Sequence, residues 1–200
     1  MLLTYNQSQQ IFPNLEKDGT RRHFYDKGTK IPLINHGVWQ VEEGVVQLSK
    51  FNPLGEEVLL GWSQPSTFFG MGLTSNDGYQ GKALSDVSLL LYSLAEIEAS
   101  PNLAHHVLTQ VLRRMRQTEA LLAIAGMRRV EDRLLELLQL LKQDLGQPLS
   151  AGSRLVVRFT HQNLANAIGT TRVTVTRLLG HFQRQGYVSF DSDRHMIIHQ

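Results

Sequence analysis

The sequence predicts an α+β protein built in three consecutive zones, and three changes in residue pattern mark these zones. From residue 21 to about residue 94, short apolar runs alternate with glycine, proline and asparagine. From residue 104 to 145 the turn-forming residues almost vanish, and leucine, arginine, glutamine and glutamate dominate. After Arg154, two short helical patterns joined by Gly169 are followed by the pattern of a β-hairpin.

The first zone is predicted to form an antiparallel sandwich or barrel. Apolar runs at residues 38–41, 45–48 and 58–60 are separated by turn signals at residues 35–37, 43–44 and 52–55. Short strands at such regular spacing are typical of antiparallel β-domains. We expect Trp39, Trp62, Phe68 and Tyr92 to pack within this domain and to take no part in chemistry.

The second zone is predicted to form a long helix with one apolar seam. Its seam positions recur at intervals of three and four residues, and charged residues such as Arg113, Arg116 and Glu119 flank them. This pattern is typical of a helix that pairs with a second helix, so we expect a homodimer; packing on its own domain is the alternative. Gly126 is expected to end or kink this helix, before a second helix over residues 128–145. The seam consists of Leu108, Val111, Met115, Thr118, Leu122 and Ala125.

The third zone has the pattern of two helices joined by a tight turn. Thr160 stands where a helix N-cap belongs, with Asn163 three residues on, and Gly169 can adopt the left-handed conformation of a turn. Thr171 is then placed to cap a second helix. This arrangement predicts a helix-turn-helix, whose second helix fits the major groove of DNA, while a polar helical hairpin without a ligand is the alternative.

The second helix of this motif is predicted to have one buried and one exposed face. Arginine on the exposed face suits the acceptors of guanine, and valine suits the methyl group of thymine. Six arginines against two aspartates between residues 151 and 200 would attract phosphates, or simply form a basic surface. The buried face consists of Val175, Leu178, Leu179 and Phe182. The exposed face consists of Arg172, Val173, Thr174, Thr176 and Arg177.

The composition excludes several classes of function. The 200 residues carry a net charge of only +2, so the chain as a whole is not a basic nucleic-acid-binding protein. The absence of cysteine excludes disulfides, thiolate catalysis and cysteine-ligated iron–sulfur clusters. No apolar run is long enough to span a membrane, and the first residues lack a secretory signal pattern. We therefore expect a cytoplasmic protein without a membrane partner.

The segment GTTRVTVTRLLG, residues 169–180, closely resembles the recognition helix of the CRP/FNR superfamily of transcription regulators, above all its cyanobacterial nitrogen regulators. The resemblance covers nearly the whole chain, with Gly55-Glu56-Glu57 and Phe69-Gly70 at matching places. It implies a cupin-type β-roll like those that bind cyclic nucleotides over residues 1–102, a dimerisation helix over 103–127 and a winged helix-turn-helix over 128–200.

The resemblance also implies a way of binding DNA. It implies GTA and TAC half-sites read by a two-fold dimer, and RNA polymerase as a partner contacted through the loop at residues 146–154. The positions implied to read bases are Arg172, Val173 and Arg177. The positions implied to contact phosphates are Thr160, His161 and Thr171.

For the β-roll, the resemblance implies a small effector. Residues 68–88 contain no glutamate and no arginine, with which the cyclic-AMP branch holds its nucleotide, so a cyclic nucleotide is not expected. Haem is not expected either, because His23 and His36 are isolated histidines. The effector of the nitrogen regulators is 2-oxoglutarate, but their second effector arginine aligns here with Tyr79. The implied effector site consists of Gly70, Met71, Gly72, Lys82, Arg114 and Glu119.

Three functions remain in competition at this point. The first is a regulator controlled by 2-oxoglutarate or another small anion, although Arg114 and Glu119 could instead form a salt bridge on the dimer helix. The second is a regulator without an effector, controlled by a protein partner or by its abundance, which Tyr79 favours. The third is a cupin-like metalloenzyme, which needs clustered histidines that this sequence does not offer in the β-zone. We expect no catalytic residue, no metal site and no required cofactor.

Overall fold

A computed structural model gives the structure of residues 21–75 and 77–199. Residues 1–20 of the predicted sensor domain, and Gln200 at the other end, lie outside the described residues. None of the described helices is long and apolar enough to cross a membrane. The first strands are β1 (Arg22–Tyr25), β2 (Lys30–Ile31), β3 (Gly37–Glu43), β4 (Val46–Phe51), β5 (Glu57–Ser63), β6 (Phe68–Phe69), β7 (Tyr79–Ala83) and β8 (Val87–Ser93).

These strands form two four-stranded antiparallel sheets that face each other as a β-roll. The strand orders are β1-β8-β3-β6 and β2-β7-β4-β5. Between the sheets lie the fully buried side chains of Trp39, Leu48, Phe69 and Leu89. The indole Nε1 of Trp39 donates a hydrogen bond to the carbonyl of Pro32 at 2.8 Å, which satisfies its polar atom inside the core. The predicted antiparallel fold class is thereby confirmed.

Three helices follow the roll: α1 (Leu94–Ala99), α2 (Pro101–Ala125) and α3 (Val130–Leu145). Ser93 and Glu96 form a capping box at the start of α1, and the Ser100 hydroxyl caps α2, whose first residue is proline. The long helix ends at Gly126 as the sequence predicts, but this glycine keeps a right-handed conformation with φ of −75°. One face of α2 packs on the roll through Val107 and Ile124.

The C-terminal unit continues with β9 (Gly146–Leu149), β10 (Gly152–Leu155), α4 (His161–Ile168), α5 (Arg172–Arg184), β11 (Val188–Phe190) and β12 (Met196–Ile198). Its sheet has the order β11-β12-β10-β9. The loop predicted at residues 146–154 is instead a β-hairpin, with Pro148 on the edge strand where a missing N–H costs least. Strand β10 ends at Leu155, and Val157 beyond it is buried in the core.

The roll and the C-terminal unit share one apolar core. The leucines of α3 pack against α4 and α5, and the same cluster includes Val45, Trp62 and Leu84 from the roll. Trp62 alternates with core-facing residues of β5 and therefore points out of the roll, toward α3. The cluster on α3 consists of Leu134, Leu137, Leu138, Leu141 and Leu145.

We expect Leu138→Ala to lower the free energy of unfolding by about 2–5 kcal/mol, because it removes buried contacts and leaves a cavity. Urea unfolding followed by circular dichroism measures this change. Leu54→Ala is the matched control, because Leu54 is 84% exposed, and its change should stay within about 0.5 kcal/mol. Equal changes in the two variants would contradict the packing described for α3.

Candidate DNA interface and effector site

The turn between α4 and α5 is built by local hydrogen bonds of the kind that the sequence predicts. The N–H of Asn163 donates to the Thr160 hydroxyl at 3.0 Å, and the N–H of Thr160 donates back to Asn163 Oδ1 at 3.0 Å. Gly169 ends α4 in the left-handed conformation, with φ of 62°. Thr171 caps α5 by accepting from the N–H of Thr174 at 3.2 Å. The chain thus forms a helix-turn-helix with both N-caps in place.

Helix α5 has a buried and an exposed face, as the sequence predicts. Val175, Leu178, Leu179 and Phe182 are buried against the rest of the unit. Val173 is 78% exposed, so its apolar side chain is available for contact with a partner. Of the other residues predicted for the exposed face of α5, Arg172, Thr176 and Arg177 are exposed and Thr174 is half-buried.

Three of the six arginines between residues 151 and 199 lie on helix α5, and the other three lie on strand β10 or in loops. Arg154 Nε donates to Asp191 Oδ2 at 2.6 Å, and Arg154 Nη2 lies 4.0 Å from Asp193 Oδ2, so one arginine engages both aspartates of this segment. The hydrogen bond from Arg154 is the largest cause that lowers the pKa of Asp191 below its ordinary value. The arginines left exposed are Arg158, Arg172, Arg177, Arg184 and Arg194.

Two of the predicted DNA-contacting residues touch each other across the motif. His161 Nδ1 lies 2.7 Å from the Thr176 hydroxyl oxygen, which also lies 2.9 Å from the carbonyl oxygen of Arg172. The Thr160 hydroxyl donates to Asn163 Oδ1 at 2.5 Å. The hydroxyl protons of Thr160 and Thr176 therefore have acceptors inside the protein.

The predicted seam lies on the surface of α2 that faces away from the roll. All six seam residues are exposed, and Leu122 is 72% exposed, so an apolar stripe runs along the described chain without a cover. Residues on the opposite face, such as Val107 and Ile124, are buried against the roll and α3. The stripe fits a second helix, and the homodimer stays a prediction.

Arg114 is held between α2 and strand β5. Its guanidinium donates to the carbonyls of Leu60 and Trp62 and to Gln117 Oε1, at 3.3–3.4 Å. These bonds are longer than the ordinary range for N–H···O contacts. Removal from water lowers the pKa of Arg114, and no carboxylate pairs with it among the described residues. Burial raises the pKa of Tyr79 to about 12, against the opposing charge of Arg114, so this phenol stays neutral.

The structure does not bring all predicted effector residues together. Tyr79 and Lys82 lie three positions apart on β7, so their side chains point to opposite faces, and Lys82 is exposed beside Gln47. Lys82 therefore does not supply a second positive charge beside Arg114 for an anionic effector. Glu119 is exposed and lies five residues after Arg114 on α2, away from its face.

The predicted glycine segment of the effector site packs tightly against strand β3. Gly70 has φ of 141°, and an added Cβ would lie 2.5 Å from the carbonyl oxygen of Gly37. Gly72 is equally restricted, because its Cβ would lie 2.8 Å from Val38. Met71 lies half-buried between them at the start of a short 3-10 helix. This backbone comes directly after Phe69 of the roll core and is therefore fixed in place.

A junction that the sequence did not reveal joins helix α2 to the DNA-binding unit. Gln117 Nε2 donates to Asp144 Oδ2 at 2.8 Å, and the Trp62 indole donates to the same oxygen at 3.0 Å. The N–H of Trp62 donates to Gln117 Oε1 at 3.1 Å. Asp144 lies in the last turn of α3, where the helix dipole disfavours an acid. That unfavourable position was the signal in the sequence that Asp144 has a specific partner.

A second polar contact holds α4 against the roll. Asn163 Nδ2 donates to Gln47 Oε1 at 3.1 Å, and Asn166 Nδ2 donates to a carboxylate oxygen of Glu57 at 3.0 Å. The other carboxylate oxygen of Glu57 accepts from Gln47 Nε2 at 2.8 Å. The first helix of the DNA-binding motif is therefore fixed to β4 and β5 by a ring of polar side chains.

The histidines of the β-zone do not form a metal site in the described part of the chain. His23 packs edge-on against Trp39 with ring centroids 5.2 Å apart, and burial lowers its pKa. His36 occupies a turn with φ of 60°. Within residues 21–75 and 77–199, no group of three histidine, aspartate or glutamate side chains could hold a metal ion.

Comparison with known proteins agrees with this geometry. Residues 128–200 match the family described as the Crp-like helix-turn-helix domain. The regulatory protein CysR of Synechococcus elongatus is 32% identical over 84% of this chain and 79% of its own length. The global nitrogen regulator of Synechocystis is also 32% identical, over 76% of this chain and 72% of its own length.

Solved structures show the same fold at lower sequence identity. A CRP-family transcriptional regulator from Thermus thermophilus has a TM-score of 0.74 at 20% identity, over 89% of this chain and 92% of its own. FixK2 from Bradyrhizobium japonicum has a TM-score of 0.73 at 20% identity, over 90% of this chain and 92% of its own length.

Asp144→Ala should shift the fluorescence emission of Trp62 to longer wavelength and lower the free energy of unfolding by about 1–3 kcal/mol. The reason is that the indole N–H and the Gln117 amide lose a shared acceptor. Emission spectra and urea unfolding measure the two effects. Glu136→Ala, an exposed acid on the same helix, is the control. An unchanged emission maximum in Asp144→Ala would show that the carboxylate does not hold the indole.

Proposed function

The chain belongs to the CRP/FNR superfamily of transcription regulators, and from that premise we propose that it acts as a homodimer on a GTA/TAC-type palindrome under the control of a small anion. It is a DNA-binding regulator and not an enzyme. The observation that carries the proposal is the exposed face of α5, where arginines surround an uncovered valine.

Helix α5 is proposed to enter the major groove with its N-terminal half toward the bases. Arg172 and Arg177 are suited to the two acceptors of guanine, and the exposed Val173 is suited to a thymine methyl group. A half-site that contains both guanine and thymine, as GTA does, fits this set of side chains. A two-fold dimer would place its two recognition helices about 34 Å apart, one turn of DNA.

The second copy of the chain is proposed to cover the stripe on α2. An uncovered and mainly apolar stripe along residues 108–125 of the helix is costly in water, and a second identical helix would bury it. Arg113, Arg116 and Glu119 flank the stripe, where charged side chains of paired helices commonly meet.

A small anion beside Arg114 is proposed as the effector. The guanidinium is partly withdrawn from water and has only neutral acceptors at long distances, so a carboxylate would compensate its charge. The 2-oxoglutarate that controls the nitrogen regulators is a candidate, with the backbone of Gly70, Met71 and Gly72 on one side. The second carboxylate of 2-oxoglutarate would meet the neutral Tyr79 and not a second cation. An anion with a single charge therefore fits this site equally well.

The junction at Asp144 offers a route from the anion to the DNA-binding unit. An anion that engages Arg114 competes with Gln117 Oε1 for the same guanidinium, and Gln117 also holds Asp144 at the end of α3. A ligand that prefers one arrangement of this junction shifts the population toward it. A movement of α3 carries α4 and α5 with it, because they share its core.

The competing function, a regulator without an effector, is favoured by one observation. The Arg114 guanidinium already donates to the carbonyls of Leu60 and Trp62. In that case Arg114 would serve only to join α2 to β5. Control would then come from a protein partner or from abundance. RNA polymerase is the proposed partner in either case, with the β9–β10 hairpin as its candidate contact.

Binding to a labelled GTA/TAC palindrome at fixed salt tests the DNA-binding proposal. Arg177→Ala should weaken binding by about 1–3 kcal/mol, roughly 5–150-fold, because it removes a contact to a base. The control is Lys27→Ala, which removes an exposed cation of the roll and should leave affinity unchanged. Equal affinity for a scrambled half-site would overturn the palindrome, although it would leave DNA binding itself in place.

Arg114→Ala should abolish any increase in DNA affinity that 2-oxoglutarate or another small carboxylate produces. The matched control is Arg116→Ala, which removes an exposed arginine of the same helix and should keep the response. Binding to the palindrome is measured with and without each carboxylate. If Arg114→Ala leaves both the DNA affinity and every carboxylate response of the wild type unchanged, the effector proposal is wrong.

A further inference from the structure

The hydrogen bonds around Thr176 determine which nitrogen of His161 carries a proton. The Thr176 hydroxyl has one hydrogen, and the carbonyl of Arg172 at 2.9 Å can only accept it. His161 Nδ1, at 2.7 Å from the same oxygen, must then donate its own hydrogen. Only this arrangement makes hydrogen bonds of both contacts of the Thr176 oxygen, to His161 Nδ1 and to the carbonyl of Arg172. A threonine that donates to the carbonyl four residues earlier is a common pattern in helices.

A consequence follows for the other nitrogen of the ring. A neutral imidazole with its hydrogen on Nδ1 presents only a lone pair at Nε2, and Nε2 has no protein partner among the described residues. A phosphate oxygen also presents only lone pairs. Nε2 can therefore donate to a phosphate only when the ring is protonated and carries both hydrogens.

The charged groups on the elements around His161 are mainly arginines. Arg158 precedes α4, and Arg172 and Arg177 lie on α5, the helix that His161 contacts. Helix α3 packs on α4 through leucines, and the Glu57 carboxylate on β5 is held by Asn166, further along α4. A phosphate in contact with the ring would favour its protonated form.

We propose that His161 binds a DNA phosphate only as the imidazolium, so that each protomer takes up a proton when it binds DNA. The inference rests on the proposed DNA interface, in which His161 lies beside the exposed face of α5. Thr176 enforces this requirement, because its hydroxyl oxygen accepts the hydrogen of His161 Nδ1. Because the Thr176 hydroxyl hydrogen is used inside the protein, this residue cannot donate a hydrogen bond to a base.

The affinity for DNA should therefore rise as the pH falls from 8 to 6. Each proton taken up on binding changes the affinity by at most about tenfold per pH unit. The test measures binding to the labelled GTA/TAC palindrome and to a scrambled duplex at pH 6, 7 and 8 and fixed ionic strength. Both duplexes should show the slope, since a phosphate contact does not depend on sequence.

Two variants separate the proposed mechanism from a general effect of pH. His161→Gln should lose the slope, because an amide donates at every pH. Thr176→Val keeps the shape but releases Nδ1, so the neutral ring can place its hydrogen on Nε2; the slope should shrink and the affinity at pH 8 should rise. His181→Gln, which changes another half-exposed histidine of α5, should keep the slope. Thermal unfolding at each pH verifies that the variants are folded.

The outcomes distinguish this inference from the proposed function. A flat wild-type profile, or an unchanged slope in His161→Gln, overturns the role of His161 and leaves DNA binding intact. A slope on both duplexes without preference for the palindrome supports His161 and overturns the half-site. Failure to bind either duplex overturns both. Ring ¹⁵N chemical shifts of His161 in the complex give a second readout, and a neutral ring there overturns the inference.

Discussion

The close approach of helix α2 to strand β5 at Gly61 is the constraint on which the rest of the structure depends. Gly61 has φ of 132°, and an added Cβ would lie 2.2 Å from Gln117 Oε1. Only a glycine allows Gln117 and Arg114 to reach the main chain of β5 at this point. Without that approach, Gln117 could not accept from the N–H of Trp62 while it donates to Asp144.

Because of that approach, the roll and the DNA-binding unit are joined by both apolar and polar contacts. Trp62 points out of the roll into the core of α3, and its indole is satisfied by Asp144. The ring of Gln47, Glu57, Asn163 and Asn166 fixes α4 a short distance away. A different orientation of the helix-turn-helix would leave the buried Gln47 and several half-buried polar groups unpaired, which favours the observed orientation.

The local features of the motif could be predicted from sequence because the residues that build them are neighbours. Thr160, Gly169 and Thr171 form their caps and turn within a few residues, and the apolar stripe of α5 follows the helical period. The junction could not be predicted, since Trp62 and Asp144 lie 82 positions apart. The position of Lys82, away from Arg114, could not be predicted for a related reason. The side of the sheet on which a strand residue lies depends on strand register, and a shift of one residue moves it to the other side. The β9–β10 hairpin was missed because Gly146 and Pro148 resemble turn residues, although an edge strand tolerates both.

The hydroxyl groups of the motif restrict how α5 can discriminate between sequences. Thr160 and Thr176 direct their hydrogens to acceptors within the protein, and Thr171 and Thr174 lie 3.0 Å from each other. In the proposed complex of a homodimer with DNA, base recognition then rests on few side chains, chiefly Arg172, Val173 and Arg177. One good bidentate contact discriminates by about 1–3 kcal/mol, so a single motif of this kind selects its site weakly. Two copies at a fixed spacing roughly double that free energy, because both half-sites must match at once. The exposed seam on α2 is therefore as important for the choice of DNA site as the residues that face the bases.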